Sequence, residues 1–146
     1  MQCLNLGMIE TVDSLKLANT LNKDCGNIPE RKEMPPLDIL IQVLAENTED
    51  SKFGVTPDES LELIKHIQQE CPFLNFRGLM SMGEIGNVSE FRLINALKLR
   101  IESEFNLKDL MVSMGTSQDY ELAIQEGGSN QVRLGTTIFG ARNYAK

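Results

Sequence analysis

LMVSMGTSQDYELAIQEGGSNQVRLG, residues 110–135, is the stretch whose reading decides the fold. Leu110 to Gly115 form a short apolar run of strand length, Ser117 can cap a short helix, and Gly127-Gly128 supply its stop. Gln131 to Gly135 then make a second strand. A strand reached through a helix lies parallel to the strand before it, because parallel neighbours need a crossover.

The same unit recurs toward the N-terminus. FRGLMSMG, residues 76–83, reads as a strand, and after it Phe91, Ile94, Leu97, Ile101 and Phe105 fall at helical spacing. Before it, Thr56, Pro57 and Glu59 spell a capping box for a helix that buries Leu63, Ile64, Ile67 and Cys71 and stops at Pro72. LDILIQVLA, residues 37–45, is the strand ahead of that helix, joined to it by the loop ENTEDSKFG. The first unit has a strand in LNLGMIETV, residues 4–12, and a helix capped by Asp13 or Ser14 that carries Leu17, Ala18 and Leu21. The proline-bearing connection CGNIPERKEMPP follows it. Five strands and four connecting helices predict one parallel α/β domain over residues 1–146. Ser-Met-Gly closes the strands at both 79–83 and 110–115, an internal echo that fits a repeated unit.

In parallel α/β folds, ligand chemistry sits at the C-terminal ends of strands, and in (β/α) barrels the loops after the last two strands often build a phosphate site. Alternation sends Val132 and Leu134 to one face and Arg133 and Gly135 to the other. With the apolar face under the helices, Arg133 points to the ligand side and needs a partner, either a protein carboxylate or a ligand atom. Gly135 lets backbone approach an anion, and the N–H and hydroxyl groups of Thr136 and Thr137 can donate to it. The plainer reading is an internal salt bridge beside a tight turn.

Other residues carry less. His66, the one histidine, reads as a solvated residue in mid-helix, and Glu46, Glu49 and Asp50 as a solvated loop without the fixed spacing of a calcium site. Lys52 has nothing beside it to lower its pKa. With no GxSxG, no Cys/His pair at a motif spacing and no Walker loop, nucleophilic hydrolysis has no support, and no catalytic or metal-ligating residue is assigned. Fourteen Lys and Arg against twenty-one Asp and Glu give a formal charge of -7, which argues against nucleic acid or an anionic membrane as partner but permits a small anion bound locally. Cys3, Cys25 and Cys71 are widely spaced and read as free thiols in a reducing compartment. No apolar run reaches the ~18 residues of a membrane span. The N-terminus lacks the basic start of a signal peptide, so a cytoplasmic protein is expected, with a mitochondrial one as the alternative.

NLGMIETVDSLKLANTLN, FRGLMSMG, LMVSMGTSQDYELAIQEG and VRLGTTIFGARNY together resemble the pyridoxal-phosphate homeostasis proteins, small relatives of the alanine racemase barrel. The pieces run in the family's order and cover nearly the whole chain. The resemblance implies a parallel (β/α) barrel of the alanine racemase type, here incomplete and corresponding to about the last five of eight βα units. It also implies a protein that binds pyridoxal 5'-phosphate (PLP) and serves its intracellular homeostasis without being an enzyme. By resemblance, Arg133 would face the pyridine nitrogen of PLP, Gly135 and Thr136 would hold its phosphate, and Ser113 would join them from the Ser-Met-Gly turn. Met80 and Met82 would line the ring pocket or pack in the core.

The departures matter as well. The family's lysine that attaches the cofactor covalently lies on its first strand, and this chain begins at what would be strand four. Gln42-Val43 is followed by Leu44 where the family carries asparagine, and the loop with Asn47 is longer. Five strands of eight imply an open sheet with two unpaired edges, ligand-side residues facing water, and self-association through those edges. A racemase-like PLP enzyme, or a truncated fragment without ligand function, are the alternatives.

Overall fold

The computed structural model describes residues 4–44 and 53–141. Its elements follow one another as β1 (Met8–Val12), α1 (Leu15–Asn27), α2 (Pro29–Lys32), β2 (Leu37–Gln42), α3 (Pro57–Glu70), β3 (Leu74–Met80), α4 (Val88–Glu104), β4 (Met111–Thr116), α5 (Tyr120–Gly127), β5 (Gln131–Arg133) and α6 (Thr136–Phe139). The five strands form one sheet in the order β1-β2-β3-β4-β5, and every neighbouring pair is parallel. The expected alternation of strand and crossover helix is thus the observed fold. The loop residues Glu46, Asn47, Glu49, Asp50 and Lys52, together with Cys3, lie outside the described residues.

Local signals start most helices where the sequence places them. Ser14 caps α1, its hydroxyl oxygen accepting from the Leu17 N–H at 3.2 Å. Thr56 and Glu59 form the expected capping box, with Thr56 Oγ1 accepting from the Glu59 N–H at 3.3 Å and Glu59 Oε2 accepting from the Thr56 N–H at 2.8 Å. Thr56→Ala removes this cap and is expected to cost about 1 kcal/mol of stability, measurable as a lower urea midpoint at unchanged m-value.

Two local expectations are corrected. Cys25, Gly26 and Asn27, read as the start of a connection, are the last turn of α1. A Cβ on Gly26 would come within 2.7 Å of the Phe73 ring, so the glycine lets α1 sit flat on that ring instead of ending the helix. The cap of α5 is Asp119 rather than Ser117, whose hydroxyl oxygen instead accepts from the Thr137 N–H at 3.2 Å. The helix ends at left-handed Gly128, as expected.

Strand register sorts the side chains. Ile39 and Ile41 pair with Phe76 and Leu79, and Leu79 pairs with Val112. All five belong to the cluster packed against Ile64, Ile67, Phe91, Ile94 and Ile101 of the helices. The opposite phase places Glu10, Leu40, Gln42, Met80, Ser113 and Gln131 on the other face. A bulge keeps this sorting intact: Ile39 pairs with Phe76 but Leu40 pairs with Gly78, which leaves Arg77 as the extra, exposed residue. Gly78 itself has φ +154, and a Cβ there would overlap the Met111 carbonyl of β4.

Ligand-side residues were expected to face water in an open sheet. Leu40, Met80 and Ser113 are instead 0%, 1% and 0% exposed. The reason lies in the curl of the sheet. Gln131 of β5 donates from Nε2 to Glu10 Oε1 of β1, so side chains of the two outermost strands meet across the concave face.

Candidate functional site

Arg133 ends β5 on the concave side and reaches back over β4 to β3. Its Nη1 donates to the Ser113 carbonyl at 2.9 Å and to the Ser113 hydroxyl oxygen at 3.0 Å, and its Nη2 donates to the Ser81 carbonyl at 2.9 Å. The internal Ser-Met-Gly echo therefore has a geometric outcome: both serines present a backbone carbonyl to one guanidinium. Within the protein, Arg133 is anchored among the described residues by two main-chain carbonyls and a hydroxyl and not by a direct bond to a carboxylate. A guanidinium carries five N–H donors, and among the described residues three of these are used, which leaves two for another acceptor.

Burial pulls the Arg133 pKa down, while the charges of Glu10 and Asp119 oppose that effect. The group stays cationic, since an arginine in a protein does not deprotonate. Glu10 accepts from the Ser113 hydroxyl at 2.8 Å, and also from Gln131. On the concave face Gln131 Oε1 is left as a buried acceptor with no partner among the described residues.

A cavity of about 440 Å³ opens beside Arg133 and is lined by Thr116, Ser117, Gly135, Thr136, Ile85 and Phe139 among others. A smaller one of about 120 Å³, which shares Ile85, Thr116 and Arg133 with it, is lined also by Ser81, Met82, Glu90 and Asp119. The larger cavity is within the range of about 300–1,000 Å³ usual for small-molecule sites. Gly135 and Thr136 are exposed at its wall, where Gly135 precedes the single turn of α6. Ile85 and Phe139, 64% and 86% exposed, give that cavity an apolar rim.

Asp119 ties the walls of both cavities together. Oδ1 accepts from the Thr116 N–H at 2.7 Å and from the Thr116 hydroxyl at 2.9 Å, and Oδ2 accepts from the Gly86 N–H at 3.0 Å. Burial pushes its carboxyl up, but the bonds from Thr116 and Gly86, with the Arg133 charge, outweigh burial and hold its pKa below the ordinary value. A depressed folded-state pKa adds stability that is present above the unfolded-state value of about 3.9 and is lost as pH falls through the folded-state value. Asp119→Asn is therefore expected to lower stability at pH 7 by about 1–2 kcal/mol and to flatten the loss of stability below about pH 4. Denaturant midpoints from pH 7 to pH 2.5 check both effects.

The structure relocates some of the residues singled out in the sequence. Ser113 lies inside β4, fully buried, and not in the turn after it. Its hydroxyl is engaged by Glu10 and Arg133, and the residues that reach the cavity from this strand end are Thr116 and Ser117. Met80 is buried in the concave face, whereas Met82 is 64% exposed and borders the smaller cavity. His66 is half-buried rather than freely solvated, and its Nε2 donates to Asn19 Oδ1 at 2.7 Å, joining α3 to α1. Cys25 and Cys71 are free and buried; burial, then the Glu70 charge, raises the Cys71 pKa and keeps it a thiol. No group of three or more potential metal ligands is found among the described residues. No helix among them is long and apolar enough to cross a membrane.

Glu10 and Ser81, which the sequence places at the C-terminal ends of strands, and Asp119 are site residues to which the sequence alone assigns no role. Glu10 carries the same signal that exposed Arg133, a charge inside an apolar strand with the ligand-side phase. Asp119 follows Thr116 by three residues, the spacing at which an Asp side chain can turn back to a nearby main-chain N–H. Ser81 contributes a carbonyl, which any residue could supply.

The family model described as alanine racemase, N-terminal domain, matches residues 1–143 of the chain. The human protein named pyridoxal phosphate homeostasis protein is 37% identical over 97% of this chain and 53% of its own length. The Vibrio alginolyticus protein of the same name is 42% identical over 94% of this chain and 57% of its own length. The chain thus spans about half the length of the curated relatives it matches. Among solved structures, PipY of Synechococcus elongatus PCC7942 with PLP bound shares the fold at a TM-score of 0.73 and 24% identity, over 92% of this chain and 61% of that one.

Proposed function

The chain belongs to the alanine racemase N-terminal domain family, and we propose that it binds PLP reversibly at Arg133, as a cofactor-handling protein rather than as an enzyme. The observation that carries this reading is the fixed arginine itself. Three hydrogen bonds pin it in the wall of a cavity, and two N–H donors are left over among the described residues. These can take the ring nitrogen as acceptor, while exposed Gly135 and Thr136 on the wall of the same cavity receive the phosphate. Ser113 serves by holding Arg133 and does not touch the phosphate; Ser117, on the cavity wall, takes its place as the nearby hydroxyl.

When bound, PLP supplies an electrophilic aldehyde and a pyridine ring able to withdraw electrons. Arg133 cannot give that ring nitrogen a proton, so it holds the nitrogen neutral and restrains the withdrawal. Asp119, next to the site, is committed to three hydrogen bonds and is poorly placed to carry protons. The described residues lining the two cavities include no lysine, so the binding proposed at Arg133 is noncovalent. Equilibrium dialysis of the 146-residue chain against PLP is expected to show saturable binding, and borohydride reduction before mass spectrometry is expected to leave no adduct on any one lysine. A specific lysine adduct would refute the noncovalent reading, and no saturable binding would favour a chain without ligand function.

A further inference from the structure

Glu10 stands on β1, the far edge of the sheet from β5, yet it accepts from Ser113 Oγ at 2.8 Å and from Gln131 Nε2, and its charge acts on Arg133. Because the Ser113 hydroxyl spends its one proton on Glu10, its lone pairs are turned to Arg133 Nη1, 3.0 Å away. We propose that Glu10 is the positioning residue of the Arg133 site: across the concave face it orients Ser113 and supplies the negative charge that balances a half-buried guanidinium. Two neutral carbonyls and a hydroxyl fix the direction of that guanidinium but bring no charge of their own. Glu10 contributes negative charge from the β1 side, where Asp119 contributes it from the start of α5, and its second bond, to Gln131, ties β5 to β1. The strand that begins the chain thereby controls a contact made by the strand that ends the sheet.

The consequence for ligand binding rests on the PLP reading, since the group that Glu10 positions is the proposed partner of the ring nitrogen. The position of Arg133 can be tested without any ligand. Slowed exchange of the Arg133 guanidinium N–H signals, followed by NMR in the free chain, is expected to accelerate about tenfold in Glu10→Ala. Glu10→Gln keeps an oxygen for Ser113 but drops the charge, and is expected to fall between the two. Should Glu10→Ala not fold, the same comparison is made with Glu10→Gln alone.

With ligands, Glu10→Ala is expected to weaken PLP binding about tenfold and binding of benzyl phosphate, which has a ring and a phosphate but no ring nitrogen, less than about twofold. Unchanged Arg133 exchange, or equal weakening of the two ligands, would overturn the proposal by showing that Glu10 only props the sheet. A parent chain that binds neither ligand would sink the PLP reading, while the guanidinium exchange still decides whether Glu10 positions Arg133.

Discussion

Arg133→Ala is expected to reduce PLP affinity by about 10- to 100-fold, the equivalent of one charge-assisted hydrogen bond at about 1.5–3 kcal/mol. The substitution removes the donors aimed at the ring nitrogen and leaves the Ser81 and Ser113 carbonyls to be hydrated. Arg133→Lys is not expected to restore binding. An ammonium is one point of charge on a flexible stem and cannot span two carbonyls while still presenting a donor to a third acceptor. Equilibrium dialysis gives the affinities, and far-UV circular dichroism at the dialysis temperature shows whether each variant remains folded. Equal PLP affinity in the parent and in Arg133→Ala would mean that the ring nitrogen is held elsewhere.

Gly78→Ala is expected to have the largest effect on folding. At φ +154 an L side chain is strained wherever it points, and here the added methyl would meet the Met111 carbonyl of the neighbouring strand. Relief requires β3 and β4 to part where they are in register, at Gly78–Met111, Leu79–Val112 and Met80–Ser113. A loss of at least about 3 kcal/mol follows, a large share of the 5–15 kcal/mol that typically holds a domain together. Urea unfolding should show a much lower midpoint or no cooperative transition at all. A midpoint within experimental error of the parent would show that the two strands are not held at this spacing.

Much of this architecture can be read from the chain, for physical reasons that can be named. Strand-helix alternation dictates a parallel sheet, because a parallel neighbour cannot be reached by a tight turn. The Thr56-Pro57-Glu59 start is local chemistry and comes out as written. What escapes the sequence depends on contacts between distant segments. The last turn of α1, over Cys25, Gly26 and Asn27, reads as part of a connection until the Phe73 ring is seen lying against Gly26. The bulge at Arg77 shifts the strand by one residue, so Leu79 rather than Gly78 joins the helix-side core, and no local propensity announces it. Arg133 is legible as a charge out of place, but its anchors are not, since two of them are backbone oxygens without a residue signature. Glu10 could be matched to Ser113 and Gln131 only once the curl of the sheet was known.

The reach of Arg133 over β4 to the Ser81 carbonyl of β3 makes one side chain a cross-brace between three strands whose ends would otherwise diverge. Ligand occupancy and mechanical integrity then share a single part. Anything that engages the two spare N–H donors also stiffens the brace, so binding is expected to register as thermal protection of the whole sheet. By the same coupling, a variant that relaxes the brace forfeits affinity and stability together, and neither trait can drift far under selection without dragging the other along.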